Sequence, residues 1–315
     1  MENKKEKYPF VSIIFPNWNG KDDTLECLDS LGKLNYPKER MEIIIVDNGS
    51  VDGSQKAIEE KFKKMRKDGW WRLKLIKNNT NIGAPAAYNQ GIKEANPNYD
   101  YIWKLDNDIE LDSDSLIELV KVAITDKNIA AVGGKVYLYS EPNVIQQIGS
   151  ILSPLSSCSI GRLEVDNGQY DKCQLVDAPN GCMLLVKKQA IEDIGLMDER
   201  FFLFRDDFDW LLRMKNKGYI NLYVYRAKCW HKTERVLKQL TPQRIYYENR
   251  NRIYLVKKNF PFFIFLLFLL KYFFYTLPKI IGGLFIKRKQ PDLILPLVKG
   301  IIEGINMKSK QLVCK

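Results

Sequence analysis

Histidine and cysteine are scarce in this sequence. The chain of 315 residues contains one histidine, His231, and six scattered cysteines that form no C-x-x-C pair. This composition argues against a structural zinc site, and a disulfide framework is not expected in so long a chain. The N-terminal residues MENKKEKYPF are charged and lead directly into an apolar segment. We therefore expect no secretory leader there and a reducing, cytosolic environment.

Acidic residues are outnumbered by basic ones. The chain has 49 Lys and Arg against 38 Asp and Glu, which gives a formal net charge of +11. Such a balance favours an anionic partner: nucleic acid, an anionic membrane surface or a phosphorylated substrate. No nucleic-acid-binding motif is present and much of the charge lies beside apolar residues near the C-terminus, so we expect no nucleic-acid partner. The length fits one large domain with an appendage.

The first half of the chain alternates strand-like and helix-like segments. Strands are predicted at VSIIFP, EIIIVD, RLKLIK and YIWKLD, with amphipathic segments between them, and a later strand ends at His231. Continuous apolar strands separated by helices indicate an α/β fold with a mostly parallel central sheet flanked by helices. Ser115 and Glu118 have the spacing of a capping box and predict a helix start.

Polar turn residues follow each of these four strands. In parallel sheets, ligands bind beyond the carboxyl ends of the strands, which is where these residues are expected to gather. Turns after strands are commonly polar in any case, so simple turn function is the alternative. The segments are Pro16-Asn17-Trp18-Asn19, Asp47-Asn48-Gly49-Ser50, NNTNIG and Asp106-Asn107-Asp108.

Two carboxylates flank Asn107 directly after the fourth strand. The D-x-D pattern also occurs at Asp112/Asp114 and Asp207/Asp209, so its context must carry the argument. Neighbouring carboxylates raise each other's pKa unless a cation lies between them. A solvated turn is the simple interpretation of this stretch, and a divalent metal site is the more specific one.

A second acidic group lies among aromatic residues in the segment FFLFRDDFDWLLR. Aromatic neighbours such as Phe204 and Phe208 would exclude water from Asp207 and raise its pKa. Acidic residues at a helix N-terminus are also favoured by the helix dipole, which is the alternative explanation.

Five segments, in order, resemble those of the inverting, metal-dependent nucleotide-sugar glycosyltransferases of family 2, which have a GT-A fold. Within that family the chain most resembles rhamnosyltransferase-like cell-surface enzymes. The resemblance implies a Rossmann-like GT-A domain over residues 1–240. The segments are VSIIFPNWNG, EIIIVDNGSVDGS, NTNIGAPAAYNQGI, YIWKLDNDIELD and FFLFRDDFDWLLR.

The resemblance also implies roles for individual side chains. Asp108 would bind Mn²⁺ or Mg²⁺, Asp106 would reach the metal or the ribose, and His231 would meet the metal or the diphosphate. Asp207 would act as the general base that takes the proton of the acceptor hydroxyl. A lone histidine is ordinarily structural, which is the alternative for His231. The residues implied to bind the nucleotide sugar, with Asp106, are Pro16, Asn17, Asp47, Asn48, Ser50, Asn81, Gly83, Asn89, Asn180 and Gly181.

The C-terminal region, residues 241–315, differs sharply in composition from the rest. It contains NFPFFIFLLFLLKYFFYTLPKIIGGLFIKRK, an apolar stretch with basic flanks. Pro278 and Gly282-Gly283 are expected to kink a helix here. We favour in-plane attachment to an anionic membrane; a spanning segment and a homo-oligomer surface are the alternatives. Just before this stretch, Arg244, Arg250 and Arg252 would meet the phosphate of an acceptor lipid, or simply face solvent.

These features favour one enzymatic function over its alternatives. They predict transfer of a sugar from a UDP- or dTDP-type donor to a hydroxyl of a lipid-linked or cell-surface glycan, at the cytoplasmic face of the membrane. The alternative is a non-catalytic nucleotide-sugar-binding or scaffold protein that retains the fold.

Overall fold

The computed structural model describes residues 8–232 and 240–308. Its strands are β1 (Val11–Asn17), β2 (Met41–Asp47), β3 (Arg72–Lys77), β4 (Tyr101–Leu105), β5 (Ile109–Leu111), β6 (Ile129–Leu138), β7 (Val144–Gln147), β8 (Gly149–Leu152), β9 (Ser157–Ile160), β10 (Glu164–Val165), β11 (Gln174–Leu175), β12 (Ala178–Pro179), β13 (Met183–Lys187) and β14 (Ile220–His231). Its helices are α1 (Lys21–Gly32), α2 (Ser54–Met65), α3 (Ala84–Lys93), α4 (Ser115–Ala123), α5 (Lys188–Ile194), α6 (Asp206–Asn216), α7 (Pro242–Asn259), α8 (Phe262–Ile286) and α9 (Ile294–Asn306).

An eleven-stranded sheet forms the centre of the molecule. Its main path runs β10-β7-β6-β13-β4-β1-β2-β3, and β5, β11 and β14 join it off that path. β1 is parallel to β2 and β4, β2 is parallel to β3, and β14 is parallel to β6, whereas β13 runs antiparallel between β4 and β6. Apolar side chains of β1, β2 and β4 are buried on both faces of the sheet. The predicted α/β class with a mostly parallel central sheet is confirmed.

Strand pairing determines where the polar segments meet. Asn17 at the end of β1 pairs with Asp47 at the end of β2. Directly after β4 the chain turns into β5, and β5 runs antiparallel to the end of β14, with His231 opposite Ile109. The His231 side chain is thereby placed next to the D-x-D segment.

The predicted capping box before α4 is wrong. Ser115 is the first residue of the helix rather than the residue that precedes it, and no side chain caps this end. The Ser115 hydroxyl donates instead to the carbonyl oxygen of Lys228 at 2.6 Å. The Ser115 hydroxyl is therefore used in the contact with β14 and does not cap the helix.

The C-terminal helices pack on one another around α7. Buried side chains of α7, α8 and α9 form a separate apolar cluster that includes Ile253, Phe268 and Leu297. α8 contains π-helical turns at Tyr272–Thr276 and Gly283–Lys287. Among the described residues it is the one helix long and apolar enough to cross a membrane, judged by length and composition alone, and 17% of its most apolar window is buried. The predicted domain boundary at residue 240 stays a prediction.

Candidate active site

Asp106, Asp108 and His231 converge at the carboxyl end of β4. The His231 Nε2 atom lies 3.0 Å from Asp108 Oδ1 and 3.8 Å from Asp106 Oδ2. One ligand atom from each of the three residues lies within 4.8 Å of the other two. The β5–β14 ladder fixes this approach, because the Lys232 amide donates to the Asp108 carbonyl oxygen at 2.9 Å. The fold therefore brings together the three residues that were predicted to bind a metal.

Asp108 and His231 shift each other's pKa. Burial by itself lowers the pKa of His231, but the neighbouring Cys182 and Asp108 side chains outweigh it and hold that pKa well above its usual range. Burial raises the pKa of Asp108, yet attraction to His231 outweighs it and leaves this pKa below its ordinary value. When its ring is protonated, His231 forms an ion pair with Asp108, and its Nδ1 lies 3.0 Å from Gln146 Oε1.

The cluster has the donor chemistry of a site for a hard divalent cation. Carboxylate oxygens with one imidazole nitrogen suit Mn²⁺ and leave positions open for phosphate oxygens, whereas Mg²⁺ favours oxygen ligands more strictly. A cation binds His231 through an unprotonated ring nitrogen, so metal binding to a protonated ring would release a proton.

A hydrogen-bonded group joins the ends of β1 and β2. Asn17 Nδ2 donates to Asp47 Oδ2 at 2.7 Å and to Ser50 Oγ at 3.0 Å. The other Asp47 oxygen accepts from the Ser50 amide and from Gln55. Asn107, between the two acids, reaches back to Asn17 Oδ1 at 3.2 Å. The predicted nucleotide residues Asn17, Asp47 and Ser50 thus form one hydrogen-bonded network, which reaches the D-x-D segment through Asn107. Asp47 is buried and accepts hydrogen bonds from both other residues.

The remaining predicted nucleotide residues divide into two groups. Asn48 Nδ2 lies 3.4 Å from both Asn81 Oδ1 and the Gly83 carbonyl oxygen, so these three share one wall. Asn89 faces elsewhere: its amide is buried and makes hydrogen bonds to the backbone of Met197 and to Glu199. The structure therefore gives Asn89 a role in anchoring the chain before α6, and its predicted contact with the nucleoside wall stays a prediction.

A cleft of about 530 Å³ opens beside the metal cluster. Its walls include Pro16, Asp106, Asn180, Gly181 and Asp207, which come from four different parts of the sequence. The distant acids of the D-x-D segment and of α6 thus share one cavity. Asp108 and His231 lie next to it, through their contacts with Asp106.

Asp206 and Asp207 form the first turn of α6 and also line the cleft. Burial and the negative charge of Asp207 raise the pKa of Asp206 to about 7, and Lys104 opposes them. Burial also raises the pKa of Asp207, opposed first by Lys104 and then by the amide of Phe208. A half-buried carboxylate with a raised pKa, at the wall of a cleft, is suited to accept a proton. The expected rise in the pKa of Asp207 is confirmed, whereas Asp209 has a structural role and binds Arg213 and Lys258.

The loop before α6 has an unusual backbone that is held from α7. Phe202, Phe204 and Arg205 all have positive φ, at 60°, 67° and 65°. Asn251 is fully buried, and its amide nitrogen lies within 2.9 Å of the carbonyl oxygens of Phe201, Leu203 and Phe204. Such backbone conformations cost about 1 kcal/mol or more each and persist where the surroundings enforce them. Asn251 is therefore part of what positions Asp206 and Asp207.

Lys104 is a site residue that the sequence analysis missed. Its ammonium group is buried, donates to the Gly181 carbonyl oxygen at 2.8 Å and lies 3.6 Å from Asp106 Oδ1. Tyr88 lies on the same wall, and its hydroxyl donates to Asp106 Oδ1 at 3.0 Å. A lysine inside the otherwise apolar strand YIWKL was the signal that would have revealed this residue. Tyr88 and Asn251 gave no such signal, because their partners are distant in sequence.

Comparisons with known proteins agree with this geometry. Residues 12–195, more than half of the chain, match the family described as glycosyl transferase family 2. The poly-beta-1,6-N-acetyl-D-glucosamine synthase of Staphylococcus epidermidis is 26% identical over 246 residues, which are 78% of this chain and 55% of the relative. The chain thus spans about half the length of the curated relatives it matches.

Solved structures show the same fold at low sequence identity. One is the mannosyltransferase PcManGT from Pyrobaculum calidifontis in complex with GDP-Man and Mn²⁺, with a TM-score of 0.55 and 14% identity, covering 95% of this chain and 87% of the other. Another is S. aureus TarS 1-349 in complex with UDP, with a TM-score of 0.57 and 19% identity, covering 94% and 81%. Together with the family match, the sheet with its acids at the carboxyl edge identifies the chain as a glycosyltransferase that belongs to glycosyl transferase family 2.

Proposed function

We propose that this protein is an inverting, metal-dependent transferase that moves a sugar from a nucleoside-diphosphate donor to a hydroxyl of a lipid-linked or cell-surface glycan. The observation that carries the proposal is the shared cleft, with Asp106 of the metal cluster at one wall and Asp207 at another. Inversion requires a base on the face of the sugar opposite to the leaving group, and this placement is compatible with that requirement.

The donor half of the site uses the metal cluster and the β1–β2 edge. Asp106, Asp108 and His231 would hold Mn²⁺ or Mg²⁺, and the bound ion would neutralise charge on the departing diphosphate. Pro16, Asn17, Asp47, Asn48 and Ser50 would bind the nucleoside, with Asn81 and Gly83 completing its wall. Asn89 would shape this wall from behind, through its hydrogen bonds to Met197 and Glu199. Mn²⁺ accompanies the nucleotide sugar in the mannosyltransferase structure, which supports Mn²⁺ as the first ion to test.

The acceptor half of the site uses the α6 side of the cleft. Asp207 would take the proton of the attacking hydroxyl, while Asn180 and Gly181 border the donor sugar. Lys104 holds the Gly181 carbonyl and supplies the positive charge that favours the ionised form of Asp207. Phe204 and Phe208 line the cleft beside this carboxylate and limit water there.

A donor screen tests the proposed function. We expect Mn²⁺-dependent sugar release from at least one member of a panel of UDP-, dTDP- and GDP-sugars. The panel should include dTDP-rhamnose, because of the rhamnosyltransferase-like segments, and UDP-N-acetylglucosamine, because of the staphylococcal relative. Binding of a nucleotide without turnover of any donor, in the presence of membranes, would instead favour the non-catalytic binding protein.

Gly181→Ala is expected to lower kcat by about 10²-fold, since a small displacement of a reacting group has that cost. A Cβ at this position would lie 2.2 Å from Asp207 Oδ2, so the carboxylate must move. Steady-state kinetics would check this. Gly282→Ala is a matched control, because a Cβ there meets no atom within 4 Å; an equal loss in both variants would contradict the prediction.

Lys104→Met is expected to move the acidic limb of the kcat/KM profile to higher pH. Lys104 lowers the pKa of both Asp206 and Asp207, so its removal raises both, and the base is then ionised only at higher pH. Initial rates measured across the pH range would show the shift. An unchanged limb would mean that these carboxyl groups do not control the rate.

We also propose that residues 241–315 attach the enzyme to the cytoplasmic face of the membrane through α8. The helix exposes large apolar side chains, among them Phe263 at 62% and Phe274 at 81%. The staphylococcal relative makes a polysaccharide, which is compatible with work near a membrane. Attachment, spanning and self-association are distinguished by salt extraction, detergent extraction and the oligomeric state of the purified chain.

The double variant Phe263→Glu/Phe274→Glu is expected to weaken binding to phosphatidylglycerol vesicles at least about tenfold, because each exposed phenylalanine contributes about 1.5–3 kcal/mol when buried. Vesicle co-sedimentation measures the effect. Ile124→Glu is the control, since Ile124 is half exposed at the end of α4. Equal binding of wild type and the double variant would exclude α8 as the attachment surface.

A further inference from the structure

A second cavity, of about 340 Å³, lies between α7 and α8 and has no role in the chemistry described above. We call it the basic cavity. Five cationic side chains line it, and among the described lining residues Glu248 alone is acidic. The charged residues are Arg205, Arg244, Arg252, Lys279, Arg288 and Glu248.

Among the described lining residues, the positive charges of the basic cavity outnumber the negative one. Glu248 forms ion pairs with two arginines, with Arg205 Nη2 at 3.4 Å and Arg244 Nε at 3.8 Å from its carboxylate. The Arg205 Nε atom is buried and has no hydrogen-bond partner within the described residues. Burial and the nearby charge of Arg205 lower the pKa of Arg252, which shows that these guanidinium groups repel each other. A bound anion with several oxygen atoms would relieve that repulsion and satisfy the donors.

The basic cavity adjoins the active-site cleft. Arg205, Arg244 and Glu248 line both cavities, and Arg205 immediately precedes Asp206 and Asp207. A phosphate held in the basic cavity would therefore place a sugar attached to it near the proposed base.

The other wall of the basic cavity belongs to the apolar helix α8. Lys279, Ile280 and Leu284 of α8 face the cavity, while Phe274 and Ile286 of the same helix are about 80% exposed, at 81% and 79%. A ligand with a phosphate head and an apolar tail matches this combination of a cationic cavity and the exposed apolar surface of α8. The expected contribution of Arg250 is not found: its guanidinium is buried against the carbonyl oxygens of Arg200 and Phe201.

We infer that the basic cavity binds the phosphate or diphosphate group of a lipid-linked acceptor, whose tail lies along α8. This inference rests on the proposed function, since it names the acceptor class for the same site. The phosphate orients the acceptor, and the sugar or hydroxyl beyond it enters the cleft next to Asp207.

Charge reversal at the exposed rim of the cavity tests the inference. The variant Lys279→Glu/Arg288→Glu changes two lining residues, and Lys271→Glu/Lys289→Glu makes the same charge change at exposed positions nearby that do not line the cavity. Calorimetry with the full chain would measure binding of dodecyl diphosphate, below its micelle concentration, and of inorganic pyrophosphate. Should the first variant fail to fold, Lys279→Ala/Arg288→Ala replaces it.

The inference predicts that dodecyl diphosphate binds wild type at least about tenfold more tightly than pyrophosphate, because the tail buries apolar surface. The rim variant should lose about 100-fold, the equivalent of two charge-assisted contacts, and the control variant less than about threefold. Equal losses in both variants would overturn the cavity assignment, and equal binding of pyrophosphate and dodecyl diphosphate would overturn the lipid assignment. Failure of the proposed function has a separate signature: wild type would then bind none of UDP, dTDP and GDP with Mn²⁺.

Discussion

Asp207→Asn is expected to lower kcat by about 10³-fold, within the range that a positioned general base contributes. The substitution keeps the size of the side chain and removes its ability to accept the proton of the acceptor hydroxyl. Mn²⁺-dependent binding of UDP should stay within about threefold of wild type, because Asp207 is proposed to act on the acceptor hydroxyl and not on the nucleotide. Initial rates and calorimetry on the same preparation measure both quantities.

Asp206→Asn is the matched control for this substitution. Asp206 lies in the same helical turn, is buried and has a pKa of about 7 because of burial and Asp207. Its loss should reduce kcat less than about tenfold, since it only adjusts the charge around the base. Full activity of the Asp207 variant, or an equal loss in both, would contradict the assignment of Asp207 as the base.

Asp108→Asn is expected to lower the transfer rate by about 10³-fold, which corresponds to the several kcal/mol that a metal ion contributes to such a transition state. The Asp108 carboxylate is the partner of His231 at 3.0 Å, so its neutralisation weakens the cation site and removes the ion pair. Initial rates at saturating Mn²⁺ would measure the loss. Asp114→Asn, at an exposed position of another D-x-D pair, should retain wild-type activity.

Much of the architecture follows from local sequence pattern. β1, β2 and β4 were predicted because apolar residues dominate them, as burial on both faces of a parallel sheet requires, and RLKLIK was predicted as a third short strand, β3. The antiparallel insertion of β13 between β4 and β6 was not predicted, because strand order depends on contacts between distant segments. The short strands β7 to β10 carry too little periodicity to be identified from sequence.

In the candidate site, too, residues placed by local sequence pattern were predicted, whereas residues placed by distant contacts were not. Asp106 and Asp108 are local to one strand end, and the family resemblance suggested that His231 and Asp207 would join them. The contributions of Lys104 and Asn251 depend on partners 77 and about 50 residues away. Arg250 was expected at an acceptor phosphate, yet it supports the loop before α6. Polar residues that stabilise backbone at a distance leave no short-range signature.

The central claim is that one divalent cation, held by Asp106, Asp108 and His231, binds the diphosphate of the donor. Calorimetric titration of UDP in the presence and absence of Mn²⁺ tests it most directly, with wild type, Asp108→Asn and Asp114→Asn. We expect Mn²⁺ to strengthen UDP binding to wild type and Asp114→Asn at least about tenfold, with no such gain in Asp108→Asn. We also expect protons to be released as the metal displaces the proton of His231. UDP binding that responds to Mn²⁺ equally in all three proteins would contradict the claim.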